Sequence, residues 1–133
     1  MTRSCALPTL LLVLWSGARL CSAGTPLILV QDGQPACTIV GGQSDDFAAE
    51  RLARWFAEEG QAQVAVVTAE KAVPDRGCLI LVGSSESNRV LRQVAAAAQI
   101  DIAPGPLTDQ GYVAKTLHRD GRDWLILAGE IGR

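Results

Sequence analysis

Residues 78–86, Cys78-Leu-Ile-Leu-Val-Gly-Ser-Ser-Glu86, decide how this chain folds. The run from Cys78 to Val82 has no polar interruption. A strand reads that way when both of its faces are covered. Gly83-Ser84-Ser85-Glu86 then supplies the residue types of a strand-to-helix turn, with hydroxyls able to cap a helix and a carboxylate suited to its positive end. Downstream, Leu91, Val94, Ala95 and Ala98 recur at helical spacing, and the alanine run 95–98 favours a closely packed helix. The same order occurs upstream. Ala36-Cys-Thr-Ile-Val40 reads as a strand, Gly41-Gly42 as its end, and Ser44-Asp45-Asp46 as a capped helix start. Ala48, Leu52, Trp55 and Phe56 form the apolar stripe of that helix, which predicts burial for both aromatics, and Gly60 is its natural stop.

The remaining segments complete the order. Leu27-Ile-Leu-Val30 and Ala36–Val40 flank the turn residues Gln31-Asp-Gly-Gln-Pro35 and read as a strand pair. Gln63–Thr68 is a third strand, Val73-Pro-Asp-Arg-Gly77 a loop, and the Pro104-Gly-Pro106 region another loop. Gly111–His118 and Asp123–Ala128 flank Asp120-Gly121, a strong two-residue hairpin signal. The result is an α+β chain of order ββαββαββ, with a mixed sheet and two helices. Both helices are expected on one face, leaving the other for a partner.

Composition narrows the classes of function. Met1-Thr-Arg-Ser4, the run Leu10-Leu-Leu-Val-Leu14 and the small residues Cys21 and Ala23 describe a secretory signal peptide over residues 1–23. Secretion or periplasmic export is the expected localisation. The apolar run is too short for a permanent membrane span. Residues 24–133 are then the folded part, 110 of the 133, enough for one domain and far below the roughly 250 that a (β/α)8 barrel needs. All 14 acidic residues but only ten of the 12 basic ones lie there. That balance, with no basic cluster, argues against a nucleic-acid surface. Cys37 and Cys78 are the two cysteines beyond the leader. A disulfide between them would close a loop of about 40 residues, worth roughly 4 kcal/mol in the chain-entropy model. It requires their strands to be close neighbours. Otherwise they are two small buried strand residues.

No catalytic constellation emerges. Asp45 and Asp46 point about 100° apart on a helix, which suits helix-start electrostatics better than acid–base work. His118 is the only histidine, beside a hairpin turn where exposure is the default. The Gly41-Gly42 and Gly83-Ser84-Ser85 turns lack the offsets of a dinucleotide loop, a P-loop or a nucleophile elbow. No metal site is expected, because two isolated cysteines and one distant histidine have no ligand spacing. No cofactor is implied. Tyr112 and Trp124 remain as candidates for stacking on a sugar ring.

Taken together, the Ile39-Val-Gly-Gly-Gln-Ser44 and Leu79-Ile-Leu-Val-Gly83 turns, with Gln110-Gly-Tyr-Val-Ala-Lys115 and Trp124-Leu-Ile-Leu-Ala-Gly129, carry a resemblance. Over residues 27–133 the chain resembles the N-terminal, non-catalytic α/β domain of bacterial α-glucuronidases and β-N-acetylhexosaminidase-like glycoside hydrolases. In those families a polar-Gly-Tyr strand pairs with an Ile-x-Ile-x-Gly strand, and a catalytic barrel follows. The resemblance implies an accessory domain of a polysaccharide-degrading hydrolase, with α-glucuronidase slightly favoured as parent. The barrel, absent from this sequence, would be its partner. Two further readings compete. One is a free-standing secreted carbohydrate-binding module that takes an oligosaccharide on Tyr112 and Trp124. The other is a small enzyme using Ser84 or Ser85 with His118.

Overall fold

The computed structural model describes residues 26–43, 46–71, 73–102 and 111–129. The signal-peptide reading of residues 1–23, the Ser44–Asp45 cap, the Pro104–Pro106 loop and residues 130–133 fall outside that set. In chain order the elements are β1 (Val30–Gln31), β2 (Gln34–Pro35), β3 (Cys37–Gly41), α1 (Asp46–Glu59), β4 (Ala65–Thr68), β5 (Cys78–Gly83), α2 (Arg89–Ala97), β6 (Tyr112–Arg119) and β7 (Arg122–Gly129).

The main sheet has the order β4-β3-β5-β7-β6. Strands β4, β3, β5 and β7 are mutually parallel, and β6 returns antiparallel along β7. The architecture is therefore the expected α+β one, a mixed sheet with two helices. The β6–β7 hairpin turns on Asp120 (φ +54°) and Gly121 (φ +71°), the left-handed pair that a type I′ turn demands. A smaller copy of this device sits near the N-terminus. There β1 and β2 pair antiparallel around Asp32 (φ +53°) and Gly33 (φ +72°). The expected pairing of Leu27–Val30 with Ala36–Val40 is thus replaced by a shorter one, Val30–Gln31 with Gln34–Pro35, continued by the Ala36 N–H bond to the Leu29 carbonyl (2.9 Å). Leu27 and Leu29 pack into the core instead, and β3 is committed to the main sheet.

The helices do not share a face, which corrects the one-sided arrangement expected from element order. On one side, Ala49 and Phe56 of α1 pack with Cys37, Ile39, Cys78, Ile80 and Val82. On the other, Leu91 and Ala95 of α2 pack with Val40, Leu79, Leu81, Ile126 and Ala128. Alternate residues of one strand point to opposite faces, so the two clusters lie on opposite sides of the sheet. The cause is the direction of travel. From β3 the chain crosses through α1 to β4 on one flank, whereas from β5 it passes through α2 towards β7 on the other. Right-handed crossovers taken in opposite directions place their helices on opposite faces.

Helix α1 is anchored by Ala49 and Phe56, seven residues or almost two full turns apart, with Leu52 and Ala53 half-buried between them. Trp55 lies about 100° from Phe56 and falls off that stripe. It is 55% exposed, a correction to its expected burial, and makes an edge-to-face contact with Phe56 (centroids 5.3 Å apart). In α2, Leu91 and Ala95 are buried, while Val94 and the C-cap residue Ala98 are half-buried beside them, as the spacing predicts.

Candidate functional site

In an open sheet of this kind, ligands usually enter the crevice outside the carboxyl ends of the strands, where the winding direction reverses. Here that place lies between the ends of β3 and β5, and the Asn88 side chain sits there. Asn88 is completely buried. Its Nδ2 donates to the Val40 carbonyl at 3.0 Å and to the Val82 carbonyl at 2.9 Å, joining the two strands. Its Oδ1 accepts from the Leu91 N–H at 3.0 Å and caps α2. The serines before it are engaged as well. Ser84 Oγ accepts from the N–H groups of Ser87 (3.1 Å) and Glu86 (3.3 Å), while the Ser84 N–H donates to Ser87 Oγ at 2.9 Å. These bonds build a turn. The Asn88 N–H adds a bond to the Ser84 carbonyl at 3.1 Å.

His118 lies at the other end of the strands. It stands opposite Asp123 across the hairpin, and its Nδ1 is 2.6 Å from Asp123 Oδ1. Leu79 pairs with Trp124, which puts Asp123 level with Cys78. Ser84 is six residues further along, roughly 20 Å at the rise of a strand. The structure therefore does not bring Ser84 or Ser85 to His118, and the serine–histidine arrangement is overturned on distance.

Tyr112 and Trp124 are not brought together either. Tyr112 pairs with Gly129, and Trp124 pairs with Leu117. Leu117 is five residues from Tyr112, so the two aromatic side chains leave opposite faces of the hairpin. Tyr112 is 79% exposed. Trp124 packs against the α2-side core, with the Arg122 guanidinium 4.8 Å from its ring centroid. It borders a cleft of about 250 Å³ with Val94, Ala97, Leu117 and Arg119. Arg122 also donates to the carbonyls of Pro74, Gly77 (3.1 Å) and Arg76 (3.3 Å), fastening the 73–77 loop to the hairpin. A single two-ring sugar platform is excluded by this geometry.

Cys37 and Cys78 are direct partners across β3 and β5, both buried on the α1 side and both free thiols. Burial raises the Cys37 pKa. Cys78 is pushed up to about 11 by burial, then by neighbouring Cys37 and Asp123, against a smaller opposing effect of Arg122. Thiols held protonated in this way are poor nucleophiles at neutral pH.

Sequence reasoning passed over three residues. Asn88 was legible as an N-cap three positions before Leu91, although its bonds to two strands were not. Phe47, 74% exposed, projects from α1 beside Trp55. The two rings and the charged Glu50, Arg51, Arg54 and Glu58 surround a shallow hollow of about 420 Å³, built from α1 alone. Arg122 gave no signal, since its partners are loop carbonyls more than forty residues away. Among the described residues, no three His, Cys, Asp or Glu side chains group as metal ligands, and no helix is long and apolar enough to cross a membrane. No family model matches the chain, and no curated protein matches it.

Proposed function

We propose that the chain is the non-catalytic N-terminal accessory domain of a secreted carbohydrate-active hydrolase of the α-glucuronidase kind, packing against a catalytic barrel. The observation that carries this reading is the closing hairpin, in which Tyr112 stands opposite Gly129. That is the pairing of a polar-Gly-Tyr strand with an apolar strand ending in glycine on which the resemblance rests. Two features support it. At the sheet end where such a fold would take a ligand, Asn88 is buried and committed to structural hydrogen bonds. Phe47 and Trp55 also leave two exposed rings on α1, set among Glu50, Arg51, Arg54 and Glu58, a surface suited to a neighbour. Glycoside cleavage would fall to a carboxylate pair of the barrel. Sequencing the DNA beyond the codon for Arg133 tests the reading. A barrel-coding segment in frame, or in a nearby frame, is expected, and its absence from every frame removes the proposal.

The 79% exposure of Tyr112 favours a second reading, a free-standing carbohydrate-binding module. Its surface would be the β6 side of Tyr112, Ala114 and Thr116, without Trp124. Titration calorimetry against an oligosaccharide panel separates the two. Binding heat that is lost in Tyr112→Ala supports the module, and no heat with any glycan removes it.

A further inference from the structure

We propose that Cys37 and Cys78 are a disulfide-forming pair, and that the free thiols of the structure are its reduced state. Three observations converge on these residues. First, they are Cα partners on adjacent parallel strands with side chains on one face of the sheet. Neighbouring strands lie about 4.7–4.9 Å apart, within the 4.4–6.8 Å that a disulfide spans between Cα atoms. Second, each cysteine is the first residue of its strand, at the end of the paired ladder. The bond that continues the ladder beyond them, from the Cys78 N–H to the Ala36 carbonyl, is long at 3.4 Å. Gly77, with φ +78°, immediately precedes Cys78. Closing the bond requires the two Cβ atoms to draw together at this end of the sheet, against the Arg122 hold on the Gly77 carbonyl (3.1 Å). Third, the segment between them is the whole excursion through α1 and β4. The bond would turn that excursion into a covalent ring and staple β3 to β5.

The chemistry is thiol–disulfide exchange with a low-molecular-weight or protein disulfide. One cysteine thiolate attacks the incoming disulfide and forms a mixed disulfide. The second thiolate then displaces the remaining sulfur. One S–S bond breaks and one forms, and the incoming disulfide leaves as two thiols carrying both electrons and both protons. Both cysteines are buried in the folded protein, 7% and 6% exposed, so exchange belongs to the folding chain, before β5 docks. The inference is independent of the accessory-domain reading, since it needs only the sheet.

The test is refolding of the full chain from denaturant in a mixture of oxidised and reduced glutathione. Digestion without reduction and mass spectrometry follow. A peptide pair joined through Cys37 and Cys78, two hydrogens lighter than the free pair, is the expected product. Recovery of both as free thiols or glutathione adducts overturns the proposal, as does a link from either to Cys5 or Cys21. The bond should raise Tm by about 10–17 °C for a gain of about 2–4 kcal/mol, reversibly with reductant. In Cys37→Ala and Cys78→Ala that redox dependence should vanish. A wild-type Tm indifferent to reductant also overturns the pairing.

Discussion

Strands β5 and β6 belong to one sheet and differ in almost everything that sequence can show. From Cys78 to Val82 every residue of β5 is buried, with a strand on each side and a helix on each face. Strand β6 has one neighbour and one covered face. Val113 and Leu117 are half-buried towards α2, while Tyr112, Ala114, Thr116 and His118 are exposed. The contrast shows that position in the sheet, rather than strand propensity, decides what a side chain is worth. The largest effect should come from breaking β5. Ile80→Ala removes a fully buried side chain from the α1-side core and should cost about 2–5 kcal/mol in urea denaturation. A loss below 1 kcal/mol would show that the centre of the sheet is not the keystone.

Asn88→Ala attacks the same strand at its far end. It deletes the α2 cap and leaves the Val40 and Val82 carbonyls without their donor. The expected cost is about 3 kcal/mol. Asn88→Asp keeps the cap but turns a carboxylate oxygen towards two carbonyls, and should destabilise at least as much. If Asn88→Asp folds as well as the wild type, the bridge between β3 and β5 does not operate.

A pH titration sharpens the comparison at the near end of β5. Cys78 ionises near pH 9 as an ordinary thiol and near 11 in the fold, chiefly because it is buried. Between those values the unfolded chain gives up the proton while the folded chain keeps it. Stability therefore falls as pH rises through that window, by at most about 1.4 kcal/mol per pH unit for this group. The raised pKa of Cys37 acts in the same direction. Urea midpoints measured under reductant should show the fall, and a flat profile would contradict the burial of the pair. The smallest effect belongs to β6, where Thr116→Ala should stay within about 0.5 kcal/mol of wild type in the same assay.

This comparison also explains what the sequence made legible. The unbroken apolar run of β5 already required cover on both faces. Reading the helices as one-sided gave more weight to the order of elements than to that run, and the run was the better guide. The Asp120-Gly121 hairpin was plain because its determinants are adjacent. Trp55 misled because a helix wheel gives angles, and Ala49 turned out to centre the stripe. The arrangement of site candidates was not legible at all. Whether Tyr112 and Trp124 share a face, or whether Ser84 reaches His118, depends on strand register and on which end of the sheet a residue occupies, and neither is written locally.

The strand order β4-β3-β5-β7-β6 also describes a sheet that can be assembled without reopening. β4 joins one edge of β3, and β5 takes the edge left free. β7 then adds to the exposed side of β5, already carrying β6 through a two-residue turn. No strand has to wedge between two that are already paired. The antiparallel β6 arrives last as a ready-made border, with Lys115, His118 and Arg119 along it to discourage further strands.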